Sequence, residues 1–157
     1  MPAENWLETL AVFDDAAERR RFLNGPLPVD AGAQLHGGVL ASLYSDRTRA
    51  VKLSLAAQEL AEIRGDALSR AWAARSQGHV EHVRGEYEKA VEAYRKAVEL
   101  FDAEGQDLEV GRTLSSGIQA LIYRGEYEHR LKRALIALRP SLSPFVSYIA
   151  RRPAPAG

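Results

Sequence analysis

His79 and His82 stand three residues apart, a spacing that puts two imidazoles on one face of a helix and suits two of the ligands of a zinc ion. A third ligand at motif spacing is missing, because Glu81 belongs to a different face and the chain has no cysteine. No metal or other cofactor is therefore expected. The pair could instead make binding depend on pH, since histidine titrates near neutrality. The serines are scattered and none lies in Gly-x-Ser-x-Gly. Asp14-Asp15 reads as a solvated helix face rather than a carboxylate dyad. Gly37-Gly38 is not followed by the Lys-Ser/Thr of a phosphate-binding loop, and no Gly-x-Gly-x-x-Gly occurs. With no residue placed to activate a nucleophile, there is no candidate catalytic residue and the chain reads as a non-enzyme.

The elements that would carry these residues are helices. The 157 residues are 46% hydrophobic and 27% charged, with 21 basic and 21 acidic side chains in balance, a composition of ordinary globular domains. Without cysteine the fold rests on packing alone, which fits a reducing compartment. Met1 to Leu10 carries Glu4 and Glu8 and lacks the basic and apolar regions of a secretion signal. No run approaches the roughly 18 apolar residues that a bilayer requires. A cytoplasmic location and no membrane partner are the expectations.

A repeat sets the architecture. Arg84-Gly85-Glu86-Tyr87-Glu88 recurs unchanged as Arg124-Gly125-Glu126-Tyr127-Glu128, forty residues later. The same offset lays Ala50 on Ala90, Ala57 on Ala97, Leu60 on Leu100, Gly65 on Gly105 and Leu68 on Leu108. Ala90, Val91, Tyr94, Ala97, Val98 and Phe101 share one helix face, and Leu68, Ala71, Trp72, Ala74, Val80 and Val83 share another, ended by Gly85. Each unit is thus a helix, a tight turn and a second helix. One such hairpin cannot bury both of its faces, so units must stack.

The predicted organisation has an N-terminal lead-in helix over about 6–22 and a linker to residue 28, where Pro26 and Pro28 forbid continuation. A repeat domain spans 29–139 in units of about 29–64, 65–104 and 105–139. Its helices are expected at 30–44 and 47–64, 66–84 and 87–103, and 107–124 and 127–138. Residues 140–157 follow as a C-terminal segment with a disordered tail rich in Pro and Ala.

Gly78, Gly85, Tyr87, Ala90, Tyr94 and Ala97 resemble the signature of the tetratricopeptide repeat (TPR), lengthened here from about 34 residues to forty. The extra residues lie at Glu99 to Leu108. The long-period form, with VGRTLSSGIQALIYRGEY over 110–127, resembles the N-terminal repeat region of bacterial proteins in which such repeats precede a caspase-like CHAT peptidase module. The resemblance covers about residues 30–128 and implies an all-α, right-handed α-solenoid of about three antiparallel helix pairs. It implies a concave groove lined by Trp72, Arg75, His79 and His82 in the middle unit and by Arg112, Ser115, Gln119 and Ile122 in the last. Leu35, Val39 and Ser42 hold the matching positions of the first unit. The implied function is a protein interaction scaffold that binds a peptide or helix in the groove. The alternative is an accessory TPR segment of a CHAT peptidase system, without its catalytic domain. The peptidase needs a Cys that this chain lacks, and Arg130 and Ala134 depart from the repeat pattern. The end of the chain therefore reads either as a capping helix or as a chain shortened relative to its relatives.

Charge is uneven along the chain. Residues 81–109 hold nine acids against four Lys or Arg, and residues 124–157 hold seven Lys or Arg against two acids. Self-association of acidic and basic ends is compatible with this dipole. Nucleic acid is not the expected partner, because the basic end carries no recognised binding motif.

Overall fold

The computed structural model describes residues 5–122 and 136–137. The described chain is all helical: α1 (Trp6–Val12), α2 (Ala16–Leu23), α3 (Ala31–Ser42), α4 (Arg47–Arg64), α5 (Ala67–Arg84), α6 (Tyr87–Ala103) and α7 (Asp107–Ile122). The expected helix 127–138 and the tail 140–157 lie outside the described residues, apart from 136–137.

The helix limits follow from a few polar and glycine residues. The carboxylates of Asp46 and Asp66 accept the backbone N–H of Arg49 at 3.0 Å and of Ser69 at 2.8 Å, starting α4 and α5. Gly65, Gly85 and Gly105 take φ of 68°, 81° and 67°, the left-handed conformation that ends a helix without a Cβ clash. Gly65 and Asp66 alone separate α4 from α5, and Gly85 and Glu86 alone separate α5 from α6. Such short links fold each helix back on the one before.

Successive helices α3 to α7 accordingly pack in pairs, and α5 also touches both α3 and α7. The outcome is a layer of α3, α5 and α7 with α5 between the other two, while α4 packs against α3 and α5 and α6 packs against α5 and α7. Ala50 and Ala90, and Ala57 and Ala97, are each buried at matching places forty residues apart. Leu35, Val39, Leu53 and Leu60 form one core with Leu10 and Leu23. Ala71, Ala97, Val98, Phe101, Val110 and Leu114 form the next. No helix among the described residues is long and apolar enough to cross a membrane.

The N-terminal part differs from the single lead-in helix that the sequence suggests. The chain leaves helix at Phe13 because Asp15 caps α2, its carboxylate accepting the N–H of Glu18 at 3.0 Å. A short acidic side chain satisfies a helix start better than it tolerates a helix interior. Asp14 turns to pair with Lys52 of α4, so Asp14-Asp15 forms a corner and not a helix face. Arg19 then clamps α2 to α4 through a two-pronged pair with Glu59, at 2.6 and 2.7 Å. The Trp6 indole donates to Gln34 at 2.8 Å, joining α1 to α3.

Among the described glycines, Gly78 of α5 has the least room for a side chain. A Cβ there would stand 2.6 Å from two ring carbons of Tyr94. Around Gly37 of α3, by contrast, a Cβ would meet nothing within 4 Å. Gly78→Ala is expected to destabilise the fold by about 1–3 kcal/mol through overpacking. Gly37→Ala should stabilise it by about 0.5–1 kcal/mol, by removing a helix-interior glycine. Thermal and urea unfolding of the two variants should therefore shift in opposite directions.

Candidate functional site

The polar residues of α5 gather on its contacts with α3, α6 and α7. The forty-residue offset places His36 of α3 over Ser76 of α5, and the two side chains meet, with His36 Nδ1 3.2 Å from Ser76 Oγ. The His36 ring also lies 5.3 Å from the His79 ring and 5.3 Å from that of Trp72. His79 in turn shares a 3.0 Å hydrogen bond between its Nδ1 and the Tyr94 hydroxyl of α6. A chain of side chains thus runs Ser76, His36, His79, Tyr94 across three helices.

Beside this chain Arg75 is buried and bonded to Glu109 of α7 at 2.5 Å. Its guanidinium lies 5.8 Å from the Trp72 ring, which meets Phe101 edge-on at 4.9 Å. Glu109 also accepts from Arg112 at 2.9 Å. Three buried nitrogens of this region, His36 Nε2, His79 Nε2 and Arg75 Nε, have no hydrogen-bond partner among the described residues.

Burial sets the protonation states. It holds the His36 imidazole down at about 3, with the Arg75 charge and then His79 adding to the effect. His79 falls to about 4 for the same first reason, again with Arg75 as the next cause. Burial also lowers the affinity of Arg75 for its proton, against the support of Glu109, and raises the Tyr94 phenol above its usual range. Both histidines are therefore neutral at pH 7. His82, half-buried with its ring 5.7 Å from that of Tyr87, is lowered by burial alone.

The residues named from the sequence fall into two groups. Trp72, Arg75 and His79 are packed between helices; Arg75 is only 7% exposed. Leu35, Val39 and Ser42 are likewise buried. Sequence reasoning that carries groove positions from helix to helix treats α5 like an outer helix, yet α3 and α7 lie on either side of it. Arg112, Ser115 and Gln119 are exposed. With Leu108 (61% exposed) and Ile122 (44%) they form a single stripe along α7, at intervals of four and three residues. The stripe spans about 21 Å at 1.5 Å per residue. The opposite face of α7, through Val110, Thr113, Leu114 and Ala120, is buried.

His36, Ser76 and Glu109 are the members that residue types alone did not single out. The forty-residue offset pairs His36 with Ser76, and that signal was available in the sequence. Ser76 and His36 have the residue types of a hydrolytic pair, but Ser76 is 0% exposed and its hydroxyl meets no solvent. Their geometry joins two helices. Among the described residues no group of three or more His, Asp or Glu is placed to hold a metal ion.

Breaking the Arg75–Glu109 pair tests its part in the layer. Glu109→Gln leaves the Arg75 charge buried without its counter-charge and should cost about 3–5 kcal/mol of stability. Replacing both partners with apolar residues, as Arg75→Met with Glu109→Leu, should recover most of that loss. Chemical unfolding of the three proteins measures the difference.

Compared with known proteins, the chain matches no family model, no curated protein and no solved structure, so the geometry of the α3, α5 and α7 layer carries the functional reading.

Proposed function

We propose that the chain is a non-catalytic protein interaction scaffold, a TPR-like solenoid of about three antiparallel helix pairs, which holds a helix or extended peptide of a partner protein along α7. The observation that carries this reading is the exposed stripe Leu108, Arg112, Ser115, Gln119 and Ile122. Its apolar ends and polar centre offer a partner both area and register, as helix-in-groove recognition requires. About 21 Å of stripe matches roughly four turns of an opposing helix.

The rest of the layer supports this reading by being stiff. Arg75 is bonded to Glu109 and His79 to Tyr94, with Trp72 packed beside them, so they position α7 and leave recognition to its outer face. A scaffold of that kind gives up little side-chain order when a partner docks.

Ser115→Trp with Ile122→Asp places bulk and charge on the stripe, where both side chains are solvent-exposed. Circular dichroism and thermal unfolding should match the parent chain. A partner identified with the parent chain by cross-linking and mass spectrometry should bind at least tenfold more weakly to the double variant. Unchanged affinity would reject α7 as the binding face.

A further inference from the structure

The two buried histidines belong to different helix pairs. His36 sits on α3, in the first pair, and His79 on α5, in the second, and their rings are 5.3 Å apart. Each ring spends its Nδ1 on a hydroxyl, Ser76 for His36 and Tyr94 for His79. When the hydroxyls donate, each ring carries its own proton on Nε2, and neither Nε2 has an acceptor among the described residues. A second proton on either ring would therefore create a buried imidazolium without a counter-charge.

The surrounding charges sharpen that cost. From α5 itself the cation Arg75 and the ring of His82 face the pair. From α6 comes the Tyr94 phenol, with the Tyr44 phenol of the α3–α4 turn near it. From α7 comes Glu109, whose carboxylate is already shared between Arg75 and Arg112. On α4, which packs against both α3 and α5, the ion-paired side chains turn to the N-terminal helices: Arg49 to Glu8, Lys52 to Asp14, Glu59 to Arg19 and Glu62 to Arg20. Arg64 of α4 donates to the Pro28 and Val29 carbonyls. Among the described residues no carboxylate pairs with either ring, and protonating Glu109 would only uncover Arg75.

We infer that His36 and His79 are an acid-sensitive latch between α3 and α5, which holds the first helix pair on the second while both rings are neutral and releases it when they take up protons. The direction follows from linkage. Both rings bind protons less well folded than free, so the stabilisation is complete above the free value of 6.5 and is lost as pH falls towards about 4 for His79 and about 3 for His36. The Arg75–Glu109 pair, the Tyr94 contact with Gly78 and the α6–α7 packing contain neither ring. Release therefore starts at the α3–α5 contact and exposes one side of Trp72.

Hydrogen exchange of the full chain, corrected for the intrinsic pH dependence of exchange, tests this together with NMR titration of the imidazole Cε1–H signals. Between about pH 6 and pH 5 the opening constant of α3 amides should rise up to about 100-fold per pH unit, tenfold for each proton taken up. Amides of α6 should respond less. His36→Gln should reduce the α3 slope to about tenfold, and His36→Gln with His79→Gln should flatten it. Titration of either ring near 6.5 in the folded protein would overturn the latch, as would α3 exchange that stays level across that interval. A double variant as steep as the parent would assign the transition to carboxylates instead. Because the titration and the parent-chain exchange need no substitution, they decide the question even where a variant fails to fold.

Discussion

The fit of Tyr94 against the bare backbone of Gly78 is the contact on which the rest of this structure depends. It lets α5 and α6 approach so closely that a single methyl group at position 78 would lie 2.6 Å from the ring. That approach buries Tyr94 to 1% exposure and leaves its hydroxyl no solvent, so the hydroxyl must find a partner inside. It finds His79, and His79 lies against His36. One close helix contact therefore propagates, through a hydrogen bond and a ring contact, to the junction between the first and second helix pairs.

The same junction joins two kinds of interaction that respond differently to conditions. Alanine, valine and leucine packing between α3, α4, α5 and α6 is indifferent to pH. The imidazole pair and the Arg75–Glu109 pair are not, because charge inside a low-dielectric layer is tolerated only with a matching partner. Arg75 has such a partner and the histidines do not. The layer thus combines a pH-independent frame with a neutral polar seam, whose His36–His79 and His36–Ser76 contacts lie between units.

Helix limits were largely legible in the sequence. The expected α4 and α6, 47–64 and 87–103, agree with the observed helices, because Asp46, Gly65 and Gly85 act through local backbone chemistry. The N-terminal helix was misjudged where capping competed with continuation. Asp15 can serve either role, and the choice is settled by Asp14 reaching Lys52 and Arg19 reaching Glu59 on a helix some forty residues away. The candidate site was legible only in part. Of the groove positions that the family resemblance implied, Arg112, Ser115 and Gln119 are exposed, whereas at the same helical register Arg75 is buried and Trp72 and His79 are partly buried between helices.

The sequence by itself determined that the chain is helical, where its hairpins turn and that they recur every forty residues, since glycine φ preferences, aspartate capping and apolar periodicity act within a few residues. Only the tertiary structure decided which helix face meets solvent. α5 lies between α3 and α7 while the stripe on α7 stays exposed, and burial is a property of neighbours that no local pattern contains. His79, which the sequence placed among the residues of an open groove, is for that reason a neutral link in a seam between helices.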